Sequence, residues 1–486
     1  MSAKYDLTSF VAALLVGGGC VFSGVAAASL FDPLGTNRVV PASPAIEVLG
    51  AEINGCMTGE LSRPLRLQDA VARALCHHPK TRQAWAHVKV QAAAVGASRA
   101  AFLPSVSGSW QHTHGNTAND VTGHPQFKSD YRTNLQNANI SLSWTLYDFG
   151  GRVAGLRYAN ELVTAALATQ QATLLEVFAT VVKNFYAAQA AHGALTAAQE
   201  MEQVAKASVD AATARVDRGV AAISDQLQAQ TAYAAAAVNR VQAENEWQSA
   251  IGTLASNLNL APTTAILLPG VEDGVTPDQE FNDSVTALMD DVQRNHPSVA
   301  AAQAQMVAAQ SKAVQIRAEG LPRLNLVAQY NYNNQPTSVQ LGSPVFPATH
   351  REWYVGFQVT IPIFEGFVRT YQVRQADAQI ELQSSALDEI RRQAGLDVWN
   401  SYQLLQSATQ NLGNSSALLS LAQRSYDAAN HRYRKNVGNM LELLNAQSAL
   451  ANAKRQRIQA LTDWRSARLQ LAAKLGKLGM WDLDKA

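Results

Sequence analysis

The sequence predicts an internally duplicated α+β membrane protein. Four strands per chain contribute to a β-barrel shared between subunits, and very long α-helices extend from it. Three observations predict this. The chain is written twice, it holds four runs in which apolar residues alternate with polar ones, and it holds two very long proline-free helical stretches.

The duplication comes first because it organises the rest. His78-Pro79 returns as His296-Pro297, Arg99 as Arg317 and Leu103-Pro104 as Leu321-Pro322, all at an offset of 218. Leu146-Tyr147-Asp148 returns as Ile363-Phe364-Glu365 and Arg152 as Arg369, at 217. Tyr186 pairs with Tyr402 at 216, and Arg215, Asp225 and Ala229-Gln230 pair with Arg432, Glu442 and Ala446-Gln447 at 217. The boundaries that follow are a signal peptide over 1–28, an N-terminal periplasmic segment over 29–66 and a first repeat over 67–260. A linker over 261–282, a second repeat over 283–475 and a tail over 476–486 complete the chain. The linker is rich in Pro, Gly and Asp, which marks a surface segment.

Each repeat opens with a helix that ends at Leu-Pro, because proline disfavours the α conformation in the residue before it. Strand-like alternation follows. Ile140, Leu142, Trp144 and Leu146 alternate with Ser141, Ser143 and Thr145. Leu324 to Tyr332 and Trp353 to Ile363 do the same, and Val106, Gly108, Trp110 and His112 form a poorer fourth example. Period-two alternation puts the apolar side chains on one face. Runs of about 10 residues match a tilted membrane-spanning strand. Trp110, Trp144, Tyr330 and Trp353 are placed as an interfacial girdle. The polar spacers Gly115–Gln136 and Gln335–Arg351 read as extracellular loops. Spanning barrels begin at about eight strands, so four must be shared. A dimer would supply 8 strands and a trimer 12, and either encloses an axis that serves as a pore.

The long helices run from Gly151 to about Arg218 and through the matching stretch of the second repeat. Leu156, Val163, Leu167, Leu174, Phe178, Val181 and Phe185 recur at sevens, fours and threes, as do Ile380, Leu387, Ile390, Ala394, Val398, Tyr402 and Leu405. That spacing is a coiled-coil-like seam. The chain reverses at Arg218-Gly219-Val220-Ala221-Ala222-Ile223-Ser224-Asp225 and at Asn436-Val437-Gly438-Asn439, where glycine permits the turn. Ser224 or Asp225 is expected to cap the returning helix.

An apolar stretch from Phe10 follows Lys4 and ends in Ala26-Ala27-Ala28, the pattern of a cleaved export signal. Lipidation at Cys20 is the competing reading, disfavoured by Gly17-Gly18-Gly19 before it. Beyond Phe22 no apolar run is expected to span a bilayer as a helix, so a membrane form must be a closed barrel. These features point to a Gram-negative outer membrane with a periplasmic extension. After cleavage Cys56 and Cys76 remain. An oxidising compartment allows them to pair, and two unpaired structural thiols is the other reading.

Net charge of +1, with no basic run interleaved by aromatics, argues against nucleic-acid binding. No nucleophile elbow, phosphate loop or dinucleotide fingerprint appears, so neither an enzyme nor a cofactor is expected. His112 and His114 share a strand face, but beside a polar spacer they read as surface histidines and not as a metal site. A soluble periplasmic coiled-coil scaffold would explain the helices and leave the strands unexplained.

The duplicated Leu-Pro ends, Trp144-Thr-Leu-Tyr-Asp-Phe-Gly-Gly-Arg152, Ile361-Pro-Ile-Phe-Glu-Gly-Phe367 and the two hairpin tips resemble the TolC family of outer-membrane factors, over about Leu67 to Leu475. The resemblance implies a homotrimer with a 12-stranded barrel and a periplasmic helical barrel. It also implies a periplasmic adaptor and an inner-membrane transporter of the ABC or RND type as partners. It places Asp225 on a gate acid within Gly219 to Asp225, and Glu442 on a second. Asn445 stands where the family carries a further acid, and Asn439-Met440-Leu441 where it carries a gate arginine. Gly219, Val220, Ala221, Val437, Gly438 and Asn439 are then the tips facing the adaptor. The implied function is export, with type I protein or toxin secretion favoured over multidrug efflux by the reading of Cys20.

Overall fold

The computed structural model describes residues 32–45, 64–271, 284–335, 346 and 348–476. The expected export signal, Cys20, Cys56, half of the linker (272–282) and the tail beyond Gly476 lie outside them. The elements follow the duplication. The first repeat contains α1 (Leu67–His77), α2 (Pro79–Ala100), β1 (Ser105–Asn119), β2 (Ser129–Tyr147), α3 (Gly151–Asp217) and α4 (Ile223–Asn257). The second contains α5 (Val285–Asn295), α6 (Pro297–Ala318), β3 (Arg323–Asn333), β4 (His350–Thr360), α7 (Val368–Arg434) and α8 (Met440–Lys474). Corresponding helices have equal lengths: α3 and α7 each have 67 residues, α4 and α8 each 35. At ~1.5 Å per residue each of the longest is about 100 Å long.

The chain divides into two compact units. One contains the four strands and the helix ends that meet them, 92–159 and 315–367. Its sheet has the order β1-β2-β3-β4, antiparallel throughout. Register decides which side chains share a face. Leu142 lies opposite Val106 and Ala328, and Ala328 opposite Val355. Ile140 lies opposite Tyr330, and Tyr330 opposite Trp353. This face is apolar and bare, with Trp353 75% and Phe357 72% exposed. The other face carries Ser107, Ser141, Gln329 and Tyr354 in one row, with Asn139, Asn331 and Glu352 in another.

Two expectations need correction here. Gly115–Gln136 is not one loop. β1 continues to Asn119 and β2 starts at Ser129, so the pairs from His112–Gln136 to Asn119–Ser129 form a two-stranded ribbon beyond the end of β3. Backbone pairing satisfies the polar groups of a ribbon whatever its side chains, so polar composition concealed it. Likewise β4 begins at His350, inside the second spacer, and Pro362 lies just past its end.

The second unit contains the long helices, and its core is also duplicated. Leu174, Phe178, Val181 and Phe185 of α3 pack with Val71 and Leu75 of α1 and Leu254 of α4. Val398, Leu405 and Leu412 of α7 pack with Leu288 and Val292 of α5 and Trp464 and Leu471 of α8. Each such side chain contributes roughly 1.5–3 kcal/mol by leaving water. The expectation that no later segment is apolar enough to span a membrane is corrected in one respect. An 18-residue window of α3 reaches a mean hydropathy of 1.3, with 56% of it buried. That apolarity is the packing side of a helix seated in a protein core. Cys76 forms a disulfide, and its partner lies outside the described residues.

Candidate functional site

Three regions position the predicted residues. The first is the strand-to-helix joint. Asp148 Oδ2 accepts from the Arg152 backbone N–H at 2.7 Å, capping α3, and from Arg152 Nε at 3.2 Å. The guanidinium donates to the carbonyls of Ala101 and Leu146 and lies over the Phe102 ring. Trp144 Nε1 donates to the Phe102 carbonyl at 2.9 Å. The Asp-x-x-x-Arg spacing thus ties the end of β2 to the end of α2. Phe149 and Gly150 both take positive φ (52° and 87°), and Gly366 and Phe367 repeat this in the second half (60° and 65°). A phenylalanine held there costs on the order of 1–3 kcal/mol, which the surrounding packing and bonds must offset.

The second region is the aromatic belt. Trp110, Tyr330 and Trp353 lie on the apolar face toward the ribbon end, with Trp110 opposite Ala138 and Ala138 opposite Tyr332. Trp144 lies on the same face near the joint, opposite Leu326. The apolar band between them fits a hydrocarbon layer. Among the described residues, β1 and β4 each have one unpaired edge. Such edges, bare on an apolar sheet, require a partner strand.

The third region is the pair of hairpin tips. At the first, Gly219 has φ 73°, its N–H donates to the Val216 carbonyl at 2.8 Å, and the Val220 N–H donates to the Arg215 carbonyl at 3.0 Å. At the second, Asn436 fills the left-handed position (φ 61°), with the Asn436 N–H on the Tyr433 carbonyl and the Val437 N–H on the Arg432 carbonyl. Gly438 serves differently from the expectation. A Cβ there would meet Arg432 Cβ at 3.0 Å and the Tyr433 nitrogen at 3.1 Å, so it permits close approach. Val220 and Val437 are exposed, 64% and 67%, and Ala221 is half-buried.

The expected cap by Ser224 or Asp225 is absent. Ala222 holds the N-cap position of α4, without a side-chain bond, and Asp225 sits half-buried in the first turn. There its charge faces the positive end of the helix dipole. In the second hairpin Asn439 is the cap, accepting from the Glu442 N–H at 2.7 Å. Glu442 pairs with Arg432 at 3.2 Å. Glu442, Asn445 and Asn439 line one groove of about 600 Å³, while Asp225 stays on the other hairpin. Sequence reasoning missed Arg215. It donates to the Tyr433 carbonyl at 3.2 Å and to Asn436 Oδ1, and stacks on the Tyr433 ring, joining the two tips. Its match to Arg432 in the repeat was the available signal.

A family model described as outer membrane efflux protein matches residues 70–260 and 288–477, nearly all of both repeats. The chain belongs to the outer membrane efflux protein family. It is 31% identical over 421 residues to protein CyaE of Bordetella pertussis, covering 86% of each chain. It is 23% identical to outer membrane protein TolC of Escherichia coli, covering 90% of this chain and 87% of that one. It is 24% identical to the alkaline protease secretion protein AprF of Pseudomonas aeruginosa, covering 79% of each. The CmeC outer membrane channel of Campylobacter jejuni superposes with a TM-score of 0.73 at 16% identity, covering 91% of this chain and 95% of that one. This outer membrane efflux protein therefore has the fold of the trimeric channels, with a helical barrel and four strands from each subunit in a shared β-barrel. It resides in the outer membrane and extends into the periplasm.

Proposed function

We propose that this efflux-family channel is the exit duct of a tripartite export system, taking polypeptide cargo from an inner-membrane transporter and a periplasmic adaptor to the exterior. The observation that carries the channel reading is the four-stranded sheet, with two edges unpaired among the described residues, one bare apolar face and one polar face. Three copies closed edge to edge put the polar face around a pore. Polypeptide cargo is favoured because a relative covering 79% of the chain is named for protease secretion. Small-molecule efflux is the second reading, favoured by the family's description.

Asp225 and Glu442 hold the periplasmic entrance closed in this proposal, with Asn445 beside Glu442. The exposed tips at Val220 and Val437 face the adaptor. Asp225→Ala combined with Glu442→Ala is expected to raise single-channel conductance in planar bilayers. Unchanged conductance would remove both carboxylates from the gate, and absence of any channel in the parent would sink the duct.

A further inference from the structure

The lipid-side face of the sheet continues past its aromatic belt with a different chemistry. The register of β1 and β2 runs unbroken from Ser105–Ser143 to Asn119–Ser129, so every second residue beyond Trp110 and before Ala138 stays on that face along the ribbon. One row of the belt crosses all four strands as Trp110, Ala138, Tyr332 and Arg351. The Arg351 guanidinium lies over the Tyr332 ring, 5.8 Å from its centre. Next along the ribbon, His112 stacks with Trp110 at 6.3 Å. His114 bonds to Asn134 opposite it, and Asn116 lies opposite Arg132. Arg351, His112, His114 and Arg132 are all exposed.

We propose that this collar binds a phosphorylated glycolipid of the outer leaflet, with phosphate on Arg351 and sugars along the ribbon. Three zones follow one another up the face, as they do in such a lipid. Ile140, Val355 and Phe357 are exposed in the apolar band and take the acyl chains. At the belt, Arg351 offers the planar fork of N–H donors that fits a phosphate. Beyond it the imidazoles of His112 and His114 and the amides of Gln136 and Asn134 can exchange hydrogen bonds with hydroxyls. At ~3.3 Å per residue and a tilt of ~45°, His112 and His114 stand about 5 and 9 Å beyond the belt and Arg132 about 14 Å. A headgroup layer is only about 5–7 Å deep. A glycerophospholipid therefore ends near His112, and a lipid carrying several sugars reaches Arg132.

The placement of charge selects an anionic occupant. Within the strands Arg132 and Arg351 both lie on the lipid-side face, where Asp130 is the one acid. Glu352 lies on the polar face, beside His350 at 3.7 Å. Residues 334–349, which lead into the strand of Arg351, contain no Asp or Glu to neutralise it. The other end of the same face, toward the helices, carries Val106, Trp144, Leu324 and Val359 and no charged strand residue. Positive charge is thus confined to the lipid side and to the height of one leaflet. A guanidinium beside hydrocarbon is costly unless an anion meets it, and lipid phosphate is the anion at that height.

The inference rests on the trimeric channel reading, and its test separates the two. Full-length protein is purified in detergent, and binding of lipopolysaccharide lacking its long outer polysaccharide is measured by native mass spectrometry. Arg132→Gln combined with Arg351→Gln is expected to weaken that binding by about tenfold or more, with the trimer and its conductance unchanged. Dephosphorylated lipopolysaccharide and phosphatidylglycerol are each expected to bind the parent protein more weakly by a similar factor. Unchanged lipopolysaccharide binding by the trimeric double variant would overturn the collar and leave the channel standing. Phosphatidylglycerol bound as tightly as lipopolysaccharide would reduce the collar to a site for any anionic lipid and overturn the glycolipid. Inorganic phosphate bound as tightly would overturn the lipid altogether. A monomeric preparation that binds none of them would overturn both the collar and the channel.

Discussion

Two histidines in equivalent places give the sharpest statement at the scale of residues. His78 and His296 precede the prolines that start α2 and α6. In each, Nδ1 lies 3.2 Å from a backbone N–H two residues on, that of Lys80 or Ser298. A protonated Nδ1 cannot accept that bond. Burial pushes the His78 pKa down, Lys80 adds to the effect and Glu176 opposes it. Burial also lowers His296, aided by Lys474 and opposed by Asp397. Lys80–Glu176 and Lys474–Asp397 are themselves ion pairs at 2.6 Å. A base whose folded pKa is depressed contributes stability that is present above its unfolded value, ~6.5, and lost as pH falls through the folded value. Melting temperature should therefore drop as pH falls below about 6.5. The double variant His78→Asn, His296→Asn should flatten that acid limb, and an unchanged slope would place the titration elsewhere. His-Pro was legible as a repeat marker, but the ion pairs beside it join residues 96 and 77 positions apart. Asn436 shows the opposite limit. It and Gly438 stand two apart at one turn and both suit turns, so composition alone could not say which takes the left-handed position.

At the scale of elements, the strands were legible because period two states a face directly, and burial on one face enforces it. The faces observed are the faces the alternation predicts for Leu142, Trp144, Leu326 and Val355. Their ends were less legible, since β1 and β2 run on where alternation fades and only cross-strand pairing defines them. A substitution on the lipid face should be far more damaging than its neighbour on the pore face. Val355→Arg is expected to cost about 2–4 kcal/mol, whereas Tyr354→Arg on the polar face should be tolerated. Urea titration of the detergent-solubilised trimer measures both. Equal losses would mean that the two faces are misassigned. The long helices were legible for the same kind of reason: the repeat of Leu174, Phe178, Val181 and Phe185 is an instruction to bury one side. The cap at Asn439 and its absence at Ala222 were not, because Ser224 and Asp225 carry equally good capping groups two and three residues beyond Ala222.

At the scale of the whole molecule, the choice between polypeptide and small-molecule cargo is decided by phenotype. Deletion of this channel should remove a secreted polypeptide from the medium and restore it on complementation. Heightened sensitivity to toxic small molecules with secretion intact would favour the efflux reading. The sequence by itself determined the duplication, the count of strands and long helices, and the need for more than one chain, because periodicity and repeat offset are local or translational properties of the chain. It also determined that the tips carry Asp225 and Glu442 at matching positions. Only the tertiary structure decided that Arg215 reaches across to Tyr433 and Asn436, and that Glu442 is paired with Arg432. The physical reason is that Arg215 and Tyr433 stand 218 positions apart, and that Arg432 and Glu442 meet only once the chain reverses at the tip. A short-range pattern states which side of a helix or strand must be covered, and only folding states by what.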